Sequence, residues 1–147
     1  MVIKDSLIIK KITISDIDIL TNFIQSSGDS LKTFRYYEKR DFKIISNHLL
    51  TILLFFNNMP IAYGHLEIED NKTWLGIMVS ESEKGKGYGK VVMSHLISFC
   101  KQNKLSSIFL TVDKNNLNAI YLYQKFDFKI ISEFSASSLI MQTNSLI

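Results

Sequence analysis

Val79-Ser-Glu-Ser-Glu-Lys-Gly-Lys-Gly-Tyr-Gly-Lys90 carries half of the six glycines in the chain, at Gly85, Gly87 and Gly89. Ahead of it, Trp74–Ser80 has the apolar run of a strand. Behind it, Tyr88, Val92, Leu96 and Phe99 recur at three to four residues, which predicts an amphipathic helix over about Gly87–Asn103. Glycines let backbone N–H groups approach a ligand without a Cβ in the way. The first amides of a helix are unpaired, and roughly half a positive charge sits at that end. Strand, glycine turn and helix start therefore make an anion site, to which Lys84, Lys86 and Lys90 add charge. A pyrophosphate is the natural guest. A Walker A loop is excluded, because it needs four residues between its glycines and then Gly-Lys-Ser/Thr. Here only three residues separate Gly85 from Gly89, and Lys90 is followed by Val91. A dinucleotide fingerprint, G-x-G-x-x-G within a βαβ unit, fails on spacing and on the strands that precede it.

Those upstream strands follow one another at short range: Leu50–Phe56, closed by Asn57-Asn58; Ile61–Glu69, closed by Glu69-Asp-Asn-Lys72; then Trp74–Ser80. Connections so short join antiparallel neighbours. Earlier still, Leu7–Thr13 reads as a strand. Ser15 with Asp16 and Asp18 starts a helix through Ile17, Leu20 and Ile24, and Ser26–Ser30 is a turn. A second helix is expected over Lys39–His48, with Phe42 and Ile45 a turn apart. Downstream, strands at Ser107–Val112 and Phe128–Phe134 flank a helix over Asn116–Phe126, and Ser138–Gln142 is a last strand before a short polar tail. The fold class is α/β, with a mixed central sheet, an antiparallel meander in the middle and parallel crossover connections after it. No repeat, low-complexity tract or linker interrupts the 147 residues, so a single domain over 1–147 is expected.

Composition narrows the function classes. With 46% hydrophobic residues and one proline, the chain is neither disordered nor Pro-rich. Its longest nearly unbroken apolar run, Leu49–Phe56 interrupted by Thr51, is far short of the ~20 residues that span a bilayer. An acidic residue follows Met1-Val-Ile-Lys before any long apolar region, so neither a signal peptide nor a membrane partner is expected. The single cysteine, Cys100, excludes an internal disulfide framework and a multi-cysteine zinc site, and no metal is expected. Cys100 reads as a small buried apolar residue. A cytoplasmic setting follows as the expectation. The net charge of +3 comes with lysines spread among carboxylates, so no basic stripe points to nucleic acid.

Lys84-Gly85-Lys86-Gly87-Tyr88-Gly89 resembles the Gln/Arg-x-x-Gly-x-Gly/Ala segment of the GNAT superfamily of N-acetyltransferases, which binds the pyrophosphate of coenzyme A. Lys84 stands where Gln or Arg is usual. A second stretch, Asn116-Leu-Asn-Ala-Ile-Tyr-Leu-Tyr-Gln-Lys-Phe-Asp-Phe128, is similar to that family's Asn-x-x-Ala-x-x-Leu-Tyr-x-Lys-x-Gly-Phe helix. Asp127 replaces the usual Gly, and Asp accepts a left-handed backbone better than most residues. Together the motifs and the element order cover roughly Leu50–Phe134. The resemblance implies an N-acetyltransferase that moves an acetyl group from acetyl-CoA to a primary amine of a small molecule. It further implies that the amides of Gly85 to Lys90 receive the pyrophosphate. The backbone of Ile77, Met78 and Val79 would pair with the pantetheine arm like an added strand. Asn116, Ala119, Ile120 and Tyr123 share a helix face that would line that arm. Tyr123 is then the candidate general acid for the leaving thiolate, whereas Tyr121 lies about 200° around the helix.

Transfer needs a neutral amine, yet a lysine-like amine has a pKa of ~10.4, so a base helps, directly or through water. Tyr63, His65, Glu67 and Glu69 alternate along one strand and so share a sheet face. Some members of the family use a carboxylate at the start of the strand before the glycine run, here about Thr73, which cannot serve. Glu67 is the candidate, with His65 or water as alternatives, while His48 and His95 read as structural. The acceptor is expected near Gly28–Arg40, between the first two helices and the sheet. There Leu31-Lys-Thr-Phe-Arg-Tyr-Tyr-Glu-Lys-Arg40 mixes aromatics and bases, which suits an anionic small molecule such as an amino-sugar nucleotide. A protein N-terminus or lysine as acceptor, and a non-catalytic acyl-CoA-binding domain, are the alternatives.

Overall fold

The computed structural model describes residues 5–144; the expected leader-free start at Met1 and the end of the polar tail lie outside the described residues. β1 (Leu7–Lys11), β2 (His48–Phe56), β3 (Met59–Glu69) and β4 (Lys72–Val79) form an antiparallel meander. Local chemistry sets its two tight turns. Asn57 and Asn58 have φ of 48° and 67°, and Asp70 and Asn71 have φ of 53° and 61°. Two successive left-handed residues make the type I′ turn whose twist matches the flanking strands, and Asn and Asp enter that region at the lowest cost after glycine.

Alternation along β3 divides the core. Ala62, Gly64 and Leu66 face one side, where α2 (Tyr88–Gln102) brings Val92, Met93 and Leu96 into a fully buried cluster. Gly64 lets this helix come close: a Cβ there would stand 2.6 Å from Val92 Cγ1. Tyr63 and His65 face the other side. There Tyr63, Leu53 and Met78 pack beneath α1 (Ile17–Gln25), which contributes Leu20, Phe23 and Ile24.

After α2 the chain enters β5 (Ile108–Asp113), crosses through α3 (Leu117–Lys125) to β6 (Lys129–Ser135), and returns as β7 (Ser138–Thr143). The seven strands run β1-β2-β3-β4-β5-β7-β6. β4 and β5 are parallel, and β7 lies antiparallel between β5 and β6. The one parallel contact among the described residues is brief, Thr73 with Ile108 and Trp74 with Phe109. Beyond Trp74 the two strands part.

One expected element differs. In place of a helix over Lys39–His48, a 3-10 turn covers Phe42–Asn47 and His48 already opens β2. The Asp41 carboxylate accepts the Lys43 N–H at 2.8 Å and starts the turn late. The three-residue spacing of Phe42 and Ile45 matches the tighter 3-10 period as well as the α period, and β-branched Ile44 and Ile45 disfavour a longer helix.

Candidate active site

The parting of β4 and β5 opens two cavities that share Thr33, Phe34, Thr111, Val112 and Asp113 as a common wall. The first, about 460 Å³, is lined by Ile77, Met78 and Val79 of β4, by Lys84, Gly85, Gly87, Tyr88 and Gly89, and by Asn116, Ala119, Leu122 and Tyr123. Gly87 caps α2 with φ +85°, and Gly85 has φ +79°. A Cβ at either would meet nothing within 4 Å, so the space beside the turn is open there. On β4, Ser80 N–H donates to the Ile61 carbonyl of β3, which by alternation turns the groups of Ile77 and Val79 toward the open side. The Val79 carbonyl is taken there, accepting the Ser30 hydroxyl at 2.6 Å. Tyr123 is 7% exposed, and its hydroxyl makes no hydrogen bond among the described residues. Because no buried side-chain polar atom is left unpaired among the described residues, that oxygen must open into the cavity. Burial pushes its pKa well up, so it remains a protonated donor.

The second cavity, about 480 Å³, lies on the α1 side and is lined by Phe34, Arg35, Tyr36, Arg40, His65, Glu67, Glu69, Asp70, Trp74 and Phe134 among others. Hydrogen-bond polarity in it can be assigned. Glu67 Oε2, which can only accept while ionised, takes the Tyr36 hydroxyl proton at 2.7 Å. The Tyr36 oxygen must then accept from His48 Nε2, 2.7 Å away, which leaves His48 Nδ1 to accept the Thr51 hydroxyl at 2.8 Å. Every donor in this chain points at Glu67. A second chain runs Tyr37–Tyr63–His65, with the hydroxyls 2.6 Å apart and Tyr63 2.7 Å from His65 Nδ1. Burial is the main cause that lowers both histidines, His48 to about 4, and both are neutral near pH 7. Arg40 stacks over the Tyr36 ring at 4.3 Å. The Arg35 guanidinium bonds both oxygens of Asp113, at 2.8 and 3.1 Å, and ties the 33–40 segment to the end of β5.

A family model described as the acetyltransferase (GNAT) family matches residues 17–128. The chain belongs to this family. An uncharacterized N-acetyltransferase, YobR, of Bacillus subtilis strain 168 is 32% identical over 115 residues, covering 78% of this chain and 46% of its own length. The spermine/spermidine N(1)-acetyltransferase of the same strain is 39% identical over 70 residues, covering 44% of this chain and 46% of its own. The chain thus spans about half the length of the curated relatives it matches. The PaiA N-acetyltransferase of Thermoplasma acidophilum, solved in complex with coenzyme A, superposes with a TM-score of 0.77. It is 21% identical, and the match covers 95% of this chain and 99% of that one. At that identity it shows the fold: a GNAT α/β fold with a mixed sheet.

Within this GNAT fold the two sequence motifs converge on the first cavity. Lys84, Gly85, Gly87, Tyr88, Gly89, Asn116 and Tyr123 all line it. Lys86 and Lys90 do not, and Lys86 is held by Glu83 at 2.9 Å. Of the expected β4 trio, Met78 turns its backbone groups to Tyr63 of β3, and Ser30 bonds the Val79 carbonyl, which leaves the Val79 N–H and the groups of Ile77 on the open side. Ile120 packs into the core, and Leu122 takes its place on the lining. Asp127 is left-handed at φ 65°, as its replacement of Gly requires. Asn116 also caps α3, accepting the Ala119 N–H at 3.4 Å. Tyr121 is 64% exposed with Lys125 above its ring, and His95 is exposed. Cys100 is buried, which pushes its thiol up to about 11.

In the second cavity Glu67 and His65 stand together as the strand alternation predicts. The basic rim is split: Arg35 and Arg40 line the cavity, Arg35 bound to Asp113, whereas Lys32, bound to Asp29 at 3.3 Å, and Lys39 lie off the lining. Sequence reading missed Tyr36 and His48. The register pair His48–Glu67 links His48 to the site, but that pairing is not written in either segment alone. Among the described residues, no group of three or more His, Cys, Asp or Glu could hold a metal ion.

Proposed function

We propose that this protein is an acetyl-CoA-dependent N-acetyltransferase acting on a small primary amine. One observation carries the reading. The open β4–β5 edge joins a cavity that holds a free tyrosine hydroxyl to a cavity that holds a backed carboxylate, across a wall of five shared residues. Open glycine amides at the start of α2 suit the CoA pyrophosphate, and the free groups of Ile77 and Val79 suit its pantetheine arm. Bound acetyl-CoA supplies the acyl group. On the acceptor side, Glu67 removes a proton from the incoming ammonium so that its lone pair can attack. On the other side, Tyr123 donates to the sulfur as the carbon–sulfur bond breaks. The sum is balanced: one ammonium and one thioester give one amide, one thiol and one proton released to solvent.

The acceptor we favour carries more than one positive charge. Glu67, Glu69 and Asp70 line the cavity against a single guanidinium that has no carboxylate partner among the described residues, Arg40, held by the Tyr36 carbonyl and ring, since Arg35 and Asp113 neutralise each other. Tyr36, Trp74 and Phe134 offer faces for methylenes and for ammonium groups. The similarity to a spermine/spermidine N(1)-acetyltransferase supports the same choice. The test is thiol release from acetyl-CoA over spermidine, an amino sugar, an amino-sugar nucleotide and an N-terminal peptide. Turnover highest on spermidine is expected. Preference for the sugar nucleotide would refute the cationic acceptor, and tight CoA binding with no turnover on any amine would refute the enzyme.

A further inference from the structure

His65 is 3% exposed in its side chain, yet only one of its ring nitrogens is spent. Nδ1 is bonded to the Tyr63 hydroxyl, while Nε2 has no hydrogen-bond partner among the described residues and lies on the wall of the second cavity. Since no fully buried side-chain polar atom is unpaired among the described residues, Nε2 is open to that cavity. Glu67 mirrors it: Oε2 is occupied by Tyr36, and Oε1 makes no hydrogen bond and faces His65 Nε2 at 3.8 Å. Each residue has one atom held from behind and one atom presented. Two acceptors 3.8 Å apart can both receive N–H bonds of about 2.9 Å from a single nitrogen. The slot is also built on its far side. Gly76 is the register partner of His65, and a Cβ there would stand 2.5 Å from His65 Cε1, so the ring lies where only a glycine leaves room.

We propose that Glu67 Oε1 and His65 Nε2 together form the seat of the acceptor nitrogen, aimed by Tyr36 and Tyr63 as positioning residues. This deepens the N-acetyltransferase reading above and rests on it. The ammonium donates one N–H to each atom; Glu67 takes the proton, and His65 keeps the second N–H oriented so that the freed lone pair points away from both. His65 serves in the tautomer with hydrogen on Nδ1, which donates to Tyr63 and leaves Nε2 bare. The chain behind Glu67 ends at Thr51, which is buried, so it holds the carboxylate and offers no exit for the proton. That proton leaves by the cavity. Tyr36 from the 33–40 segment donates to Glu67, His48 of β2 and His65 of β3 stand beside it, and Tyr37 and Tyr63 stand behind His65. The other charged groups of the cavity are Arg40, the Arg35–Asp113 pair, Glu69 and Asp70, and among the described residues Tyr36 is the one direct donor to the carboxylate.

Two measurements test this, both with spermidine as probe. In the wild-type protein with CoA bound, titration with spermidine should move the ¹⁵N resonance of His65 Nε2 and leave that of exposed His95 in place. A protein that acetylates spermidine while His65 Nε2 stays unmoved overturns the seat and leaves the transferase reading standing. A protein that acetylates no amine overturns both. In the Tyr36→Phe variant the ring keeps its stack under Arg40, while Glu67 loses its donor and His48 Nε2 loses its acceptor. With the carboxylate no longer aimed from behind, kcat for spermidine should fall several-fold, with KM for acetyl-CoA unchanged. An unchanged kcat, or an equal rise in both KM values, overturns the positioning role of Tyr36.

Discussion

Replacing Tyr123 by Phe separates chemistry from packing in this site. The hydroxyl makes no hydrogen bond among the described residues, so its loss leaves no donor or acceptor stranded. The ring keeps its contact with Phe128, 6.1 Å between centroids, and the Tyr123 carbonyl keeps the Phe126 and Phe128 amides at 2.9 and 3.2 Å. Removing an unpaired hydroxyl is nearly neutral for stability, within about 0.5 kcal/mol. For a chain of this length that corresponds to a melting-temperature change under about 2 °C. The affinity for CoA, measured by calorimetry, should likewise hold. Turnover should not. A general acid contributes about 10²–10⁴-fold, so kcat on the true acceptor should fall by ~10²-fold or more, about 2.7 kcal/mol of barrier. Burial raises the pKa of Tyr123, so the acid stays protonated as the solution becomes alkaline. The wild-type rate should therefore show no descending limb from this group below about pH 10. A Tyr123→Phe enzyme with near-normal turnover would make the residue a packing element, and the thiolate would need another donor.

Gly87→Ala forces a Cβ onto a residue at φ +85°, a cost of about 1–2 kcal/mol, with no steric clash behind it. CoA Kd should rise about tenfold, and an unchanged Kd in a folded variant would remove these amides from the anion site. Gly64→Ala places a Cβ 2.6 Å from Val92 Cγ1 and 3.0 Å from Leu96 Cδ1, overpacking worth about 1–3 kcal/mol. Its melting temperature should drop by about 3–10 °C, and a drop under 1 °C would mean that α2 can slide at little cost. Stability should also depend on pH through His48, whose folded pKa is lowered to about 4 from an ordinary value near 6.5. The unfolded chain binds the extra proton between those values, so the contribution is complete above pH 6.5 and is lost as the pH falls toward 4. Buried His65 acts in the same direction. Differential scanning calorimetry across that window should show the decline, and His48→Gln should flatten part of it.

The parts legible in the sequence are those specified by short stretches of chain. Asn57-Asn58 and Asp70-Asn71 fold as turns because of their own backbone preferences, and the glycine run opens α2 for the same reason. The acceptor side was legible only in outline. Tyr36 reaches Glu67 over 31 positions and His48 over 12, and Tyr37 reaches Tyr63 over 26. Between Ser26 and Asn47 the chain advances mostly in 3-10 turns and irregular backbone, which carry no hydrophobic period from which to read a face. The capture of the Val79 carbonyl by Ser30, 49 positions away, was invisible on the same ground.

The missing carboxylate at Thr73 has a geometric counterpart. Thr73 pairs with Ile108 in the closed part of the β4–β5 contact, is buried, and lies on neither cavity wall. A carboxylate there would be sealed under the parallel pairing. Glu67 sits one strand over, opposite Trp74 in the register, at the level where the sheet begins to open. From there its side chain reaches the second cavity, and only from there can Tyr36 and His48 stand behind it. A base needs access to the substrate's proton. In this chain the point where β4 leaves β5 decides which of the two positions, 67 or 73, opens onto a cavity.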